Sequence, residues 1–186
     1  MKIFEESDRY AYNDLNADSI VLDCGAYFGN FALEIWKRYH PRIFCFEPIS
    51  KFATAIREAL PPEITVIHRG VGAYARKEIF GVQNDSTGIF AKGITKETVE
   101  IESLPLIVAG WDEVALLKLN VEGCEFEILE ALTSEELMPK IKHLQVQFHC
   151  IVPGAELMRD VICERLEKTH DCVYNKDWVW EGWTRR

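Results

Sequence analysis

The sequence predicts an α/β fold: an open, doubly wound, mostly parallel sheet with helices on both faces. Three observations predict it. Short apolar strands alternate with helix-length amphipathic stretches almost to the end of the chain, the pattern of strands joined by crossover helices. The run Val114 to Leu119 is apolar apart from Lys118, as a central strand buried on both faces requires. The strand Ser19 to Leu22 runs into Asp23 and then a turn with glycines at Gly25 and Gly29, followed at once by a helical pattern.

The elements follow in order. In the first helix Phe31, Ile35 and Tyr39 share a face, with Ala32 and Trp36 beside them. The second strand, Arg42 to Phe46, ends at Glu47. Ser50 reads as the N-cap of a helix from Lys51 to Leu60 that stops at Pro61-Pro62. Ile64 to Ile67 is the third strand. Gly70 to Gln83 alternates weakly, as a hairpin with Ala73 to Arg76 near its turn. Asn84 to Leu106 gives no firm element and reads as a mobile region or short edge strands; a segment of that length in a compact domain is often functional, and it is expected to cover the site. Val114 to Leu119 is the fourth strand. The helix from Gly123 to Leu132 turns Phe126, Leu129 and Leu132 inward, and in the fifth strand, Ile141 to Phe148, Leu144, Val146 and Phe148 alternate with polar residues. Leu157, Met158, Val161, Ile162 and Leu166 form the face of a last helix. Cys172 to Thr184 reads as two short strands around Asn175-Lys176-Asp177, with Trp178, Trp180 and Trp183 as core or edge packing.

A chain of 186 residues is one domain by length, residues 1–186, and buries roughly 70% of its unfolded surface. A net charge of −9 argues against nucleic acid as a partner, since phosphate contacts need clustered Lys and Arg, and against anionic membrane surfaces. No apolar run approaches the ~20 residues of a membrane span. The six cysteines are scattered and form no C-x-x-C pair, and Met1 to Glu6 lacks the apolar core of a signal peptide. Reduced thiols in a cytoplasmic protein are the expectation.

The turn after the first strand carries the chemistry. Glycine lets the backbone turn sharply and approach a ligand closely, and the following helix points its free N–H groups at the turn. A dinucleotide fingerprint would read G-x-G-x-x-G. Here the spacing is D-x-G-x-x-x-G, with Tyr27 and Phe28 between the glycines. Asp23 repels a phosphate but suits a cation or an amino group, and Glu47 at the end of the second strand suits both hydroxyls of a ribose. S-adenosylmethionine, with its sulfonium and α-ammonium, fits that charge pattern. A nucleotide-dependent oxidoreductase is the less favoured alternative.

Leu22 to Phe31, then Phe46-Glu47-Pro48, then Leu117-Lys118-Leu119-Asn120-Val121-Glu122-Gly123-Cys124-Glu125 together resemble the FkbM family of S-adenosylmethionine-dependent methyltransferases. That family's strings run roughly D-x-G-A-N-x-G, F-E-P and K-I-D-V-E-G-A-E, and the resemblance spans about Ser19 to His149. Tyr27 stands where the family has asparagine, and Asn120 where it has aspartate. The resemblance implies a Rossmann-like, seven-stranded class I methyltransferase fold, completed by the two last strands.

In open α/β sheets ligands bind at the carboxyl ends of the strands, which gathers Asp23, Glu47, His68, Asn120, Glu122 and His149 on one rim. On the resemblance, Asp23, Gly25, Ala26, Tyr27, Phe28, Gly29, Asn30, Glu47, Pro48, Gly70, Val71 and Asn120 are expected to bind the cofactor. Glu122, His149 and Asn120 are the candidate catalytic residues. Glu122, Glu125 and His149 are candidates for a base, with the base and substrate-orienting roles undivided. No metal is expected, because Asn120 brings no charge. The expected activity is methylation of a hydroxyl on a small molecule or glycan. The competing reading is a cofactor-binding module without turnover. Neither the acceptor nor the oligomeric state is legible.

Overall fold

In a computed structural model of the protein, which describes residues 4–82 and 95–186, seven strands form one sheet in the order β3-β2-β1-β7-β8-β10-β9. These are β1 (Ile20–Cys24), β2 (Arg42–Phe46), β3 (Thr65–Ile67), β7 (Val114–Leu119), β8 (Ile141–Val146), β9 (His170–Lys176) and β10 (Trp180–Arg185). All neighbours run parallel except around β10, which pairs antiparallel with both β8 and β9. The chain starts in the middle of the sheet, winds outward through β2 and β3, then crosses back to β7. That reversal between β1 and β7 is where an open α/β sheet forms its ligand crevice.

Helices α1 (Asn30–Tyr39) and α2 (Ser50–Ala59) pack with one face of the sheet; α4 (Glu125–Ser134) and α5 (Ala155–Leu166) pack with the other. The strands supply both layers by alternation. Val21 and Ile43 join Phe31, Ala32, Ile35 and Ile56, whereas Leu22 and Cys24 join Phe126, Leu129, Ile162 and Leu166. Every residue of β7 is buried, which its apolar run requires. At roughly 1.5–3 kcal/mol for each large side chain, this strand is a main source of stability.

The structure corrects several expectations. The first strand extends to Cys24, so Asp23 lies within it and not beyond it. Ser50 is the first residue of α2 and not its cap; Ile49 occupies the N-cap and no side chain caps the helix. The residues from Gly70 onward do not fold back as a hairpin. Strands β4 (Gly70–Gly72) and β5 (Arg76–Val82) both pair with β6 (Thr95–Ser103), β4 parallel and β5 antiparallel, making a second, three-stranded sheet in the order β4-β6-β5. The stretch Asn84 to Leu106, read as lacking a firm element, thus contains all of β6 and the start of α3 (Leu104–Ala109); its part 84–94 lies outside the described residues. Ser103 caps α3, its hydroxyl accepting from the Leu106 N–H. In α5 the buried residues are Ala155, Ile162 and Leu166, while Leu157, Met158 and Val161 are exposed.

Trp180 and Trp183 are buried, as their packing role predicted. The N-terminal segment is tied to the far half of the sheet. Tyr12 and Tyr174 both donate their hydroxyls to buried Gln145, and His143 bridges Asp14 and Thr184. All six cysteines are free thiols. Among the described residues, no helix is long and apolar enough to cross a membrane.

Candidate functional site

A cavity of about 140 Å³ opens at the carboxyl ends of β1, β2 and β7, with β4 and β5 of the second sheet forming its other wall. It is lined by Gly25, Tyr27, Glu47, Pro48, Ile49, Phe52, Gly70, Val71, Phe80, Asn120, Val121, Glu122 and Cys124. The floor is the turn after β1. Gly25 has φ +77, and a Cβ on it would meet the Asn120 carbonyl oxygen at 1.9 Å, so the position needs glycine twice over. The Gly25 N–H donates to the Phe46 carbonyl at 3.0 Å, which ties the turn to the end of β2.

Glu47 is buried but reaches the cavity. Its two oxygens accept from the backbone N–H groups of Tyr27 and Ile49, each at 2.9 Å. Burial pushes its pKa up to about 7, although those two N–H groups pull it down. A carboxylate held from behind by two donors still has free lone pairs for a diol. Asn120 Oδ1 is buried, lies on the cavity wall and has no hydrogen-bond partner among the described residues. Such an orphan acceptor suits a donor on a ligand, such as an ammonium. A nucleoside carrying an amino group therefore fits the polar groups available.

At the mouth, Glu122 and Gly123 both have positive φ, +51 and +104, and this turn brings Glu122 to the cavity. Behind it stands His149, after the end of β8. Fully buried Glu125 accepts three hydrogen bonds: from the Gly123 N–H at 2.8 Å, from the His149 N–H at 2.7 Å and from His149 Nδ1 at 3.0 Å. With Nδ1 so engaged, the other ring nitrogen, Nε2, faces Glu122 Oε1 at 3.6 Å. Burial lowers the His149 pKa, but the hydrogen bond and charge of Glu125, with Glu122, outweigh it and raise it overall. Burial raises Glu122 as well, against the pull of His149. Both groups are thereby shifted towards their protonated forms.

Of the expected cofactor contacts, Gly25, Tyr27, Glu47, Pro48, Gly70, Val71 and Asn120 converge on the cavity. Ala26, Phe28, Gly29 and Asn30 do not line it. Ala26 is packed in the core, Gly29 precedes α1 in a left-handed conformation against Leu60, Asn30 opens α1 towards solvent, and Phe28 is exposed. Asp23 is fully buried and absent from the lining; the cation it meets is Lys118, 2.8 Å away. His68 is on the surface, within 3.1 Å of the Pro48 carbonyl. Tyr27 is left-handed (φ +53) and half-exposed, its ring against Phe28 and Phe52 at 4.2 and 4.7 Å.

Sequence reasoning missed Phe52, Phe80, Ile49, Val121 and Cys124. Phe80 and Phe52 join Ile49, Val99 and Ile101 in a small core that seats the second sheet against α2. No local signal announces that wall, although Cys124 lay inside a motif already singled out. Its thiol is pushed up to about 12, mainly by burial, and is no nucleophile at neutral pH.

The profile of the family described as "Methyltransferase FkbM domain" matches residues 23–169. The chain belongs to the FkbM methyltransferase family. It is thus an S-adenosylmethionine-dependent methyltransferase. A search of curated proteins finds no match. Among solved structures, one similar fold is a candidate methyltransferase from Streptococcus mutans in complex with SAH (TM-score 0.56, 10% identity, covering 96% of this chain and 94% of that one). Another is a precorrin-6y C5,15-methyltransferase from Geobacter metallireducens (0.53, 14%, 97% and 86%). A third is an rRNA methylase from Streptococcus thermophilus (0.54, 11%, 96% and 93%). At these identities the likeness concerns the fold, and the class I methyltransferase sheet is common to all. For this FkbM methyltransferase, Glu47 and Asn120 are the polar groups that would hold the nucleoside and amino ends of the cofactor.

Proposed function

We propose that this FkbM methyltransferase methylates a hydroxyl oxygen of a small molecule or glycan, and that Glu122 and His149 together take the hydroxyl proton. The observation that carries the reading is the Glu122–His149–Glu125 chain at the cavity mouth. Bound S-adenosylmethionine supplies an electrophilic methyl group whose leaving group needs no assistance. The difficulty is then on the acceptor side, because an alcohol is a poor nucleophile until its proton has somewhere to go. Glu122 borders the cavity and accepts from the hydroxyl, His149 Nε2 lies behind it to share the proton, and Glu125 fixes the imidazole from the far side. Glu47 orients the ribose, and Asn120 Oδ1 accepts from the ammonium. The apolar lining of Ile49, Phe52, Phe80 and Val121 excludes water that would compete as acceptor.

One protein of similar fold is an rRNA methylase. A net charge of −9 supports a neutral or cationic acceptor for this chain instead. Six free thiols suit a reducing compartment, in keeping with a cytoplasmic enzyme built as one domain.

The test is an acceptor panel of sugars and other hydroxyl compounds with labelled S-adenosylmethionine, the product analysed by mass spectrometry and NMR. The expected result is methyl on oxygen and, in Glu122→Gln, turnover lower by roughly 10²–10⁴-fold with cofactor affinity near that of the native protein. Methyl found on nitrogen, or full turnover in Glu122→Gln, would overturn the reading.

A further inference from the structure

We propose that Lys118 is the positioning residue of the cofactor turn, and that Asp23 is its counter-ion and not a cofactor ligand. The inference rests on the cavity being the S-adenosylmethionine site. Lys118 and Asp23 are register partners on the adjacent parallel strands β7 and β1, with side chains 4% and 0% exposed. A buried ammonium near the carboxyl end of a central strand has three N–H donors to satisfy. It meets three acceptors: Asp23 Oδ1 at 2.8 Å, the Gly25 carbonyl at 2.7 Å and the Cys24 carbonyl at 3.4 Å. The Asp23 contact is ionic and off hydrogen-bond geometry, and neither Asp23 oxygen has a hydrogen-bond partner among the described residues. Asp23 therefore neutralises Lys118, while Lys118 donates a longer hydrogen bond to the Cys24 carbonyl and its short one to that of Gly25.

That bond completes the grip on the Gly25 peptide. Its N–H is held by Phe46 of β2, its Cα faces the Asn120 carbonyl beyond β7, and its own carbonyl is held by Lys118. Two residues on, the Tyr27 N–H is fixed to Glu47. Releasing the Gly25 carbonyl loosens the cavity floor and the segment that aims Glu47. Lys118 lies beneath that floor and outside the lining, so its loss acts on cofactor binding and leaves the proton chemistry at Glu122 and His149 in place.

Isothermal titration with S-adenosylmethionine, at a temperature well below unfolding, compares the native protein with Asp23→Asn and with the double variant Asp23→Asn/Lys118→Met. The double variant removes both buried charges together, which protein cores tolerate far better than losing one. Asp23→Asn, which keeps the Lys118–Gly25 bond, is expected to bind nearly as the native protein does. The double variant is expected to bind about 10- to 150-fold more weakly, the value of a hydrogen bond to a charged group. With an acceptor from the panel above, its KM for the cofactor should rise while kcat at saturation holds. A loss in Asp23→Asn as large as in the double variant would show Asp23 to be a ligand and overturn the proposal; so would native affinity in the double variant. If the double variant does not fold, hydrogen exchange in Asp23→Asn decides: the unpaired Lys118 charge lowers protection throughout the core, the amides of residues 25–29 should lose no more protection than those of β2 and β8, and their selective release overturns it. Absence of binding by the native protein would instead sink the cofactor site itself, and this proposal with it.

Discussion

The backbone carbonyl of Asn120 fills the space into which any side chain on Gly25 would have to grow, 1.9 Å from where its Cβ would sit. Two motifs nearly a hundred residues apart in sequence are thereby locked face to face, one at the end of β1 and the other at the end of β7. The obstacle is backbone on backbone, so no rotamer change relieves it. Gly25→Ala also forces an L-residue to φ +77, which costs roughly 1–2 kcal/mol before any clash. At about 2–4 °C per kcal/mol for a chain of this size, Tm should fall by some 5 °C or more once the clash is added. Cofactor affinity should fall with it by at least about tenfold, equivalent to the ~1.4 kcal/mol of one such interaction. Calorimetric melting and titration of the same sample check both numbers. Native behaviour in both would mean that β1 and β7 are not this close.

As the proposed ribose ligand, Glu47 is expected to make cofactor binding dependent on pH. With its pKa pushed up to about 7, mainly by burial, it carries a proton in the free protein below neutrality. Ribose hydroxyls need the ionised form as acceptor. Affinity for S-adenosylmethionine should therefore rise about tenfold per pH unit up to neutrality and level off above it, with one proton released on binding in the acid range. Stability of the cofactor-free protein runs the other way. The folded value lies above the ordinary 4.5, so this group's contribution is fully present below pH 4.5 and is lost as pH rises through about 7. Glu47→Gln should flatten both dependences. Titrations in buffers of different ionisation enthalpy count the proton, and a count of zero at pH 6 would remove Glu47 from the ribose.

How much of this was legible depends on whether a residue's partner is near in sequence or in type. Arg42–Phe46 and Val114–Leu119 came out of the sequence with their observed bounds, because each is a mainly apolar run flanked by turn or charged residues. Strand β6 showed at most as a short edge strand, whereas it is the middle strand of its sheet. Its Thr95–Ser103 sequence is largely polar and charged, and its status comes from pairing with β4 and β5, which the order of residues does not reveal. The face of α5 was over-read for a related reason: Leu157, Met158 and Val161 have the right spacing, but the sheet edge reaches only Ala155, Ile162 and Leu166. At the site, Glu47 and Glu122 were legible because they end strands beside glycine or proline. Asp23 was matched to a ligand by its charge, whereas the cation the structure places beside it is Lys118. The missing signal was Lys118, a lone cation in a buried strand that had to have an anion beside it.

The imidazole of His149 offers a test that needs no acceptor. Burial alone would put its pKa below 6.5, yet Glu125, by hydrogen bond and charge, and Glu122, by charge, raise it above that value. In Glu125→Gln one of the two raising charges goes while burial and Glu122 remain, so the pKa should fall below that of the native protein. The amide also has a single carbonyl oxygen for the three donors that Glu125 now satisfies, from Gly123 and His149, so some loss of stability accompanies the shift. NMR titration of the His149 ring protons reads the shift directly. The same displacement should appear in turnover, since the proposed base works only as neutral imidazole. In the native protein kcat climbs with pH through a value above 6.5, and in Glu125→Gln the climb moves to lower pH, though the plateau falls because the ring is no longer held with Nε2 towards Glu122. Glu122→Gln removes only one of the two flanking charges and should shift the titration in the same direction but by less. An unmoved titration in Glu125→Gln would mean that the contact at 3.0 Å does not persist in solution, and the proton chain proposed for catalysis would lose its anchor.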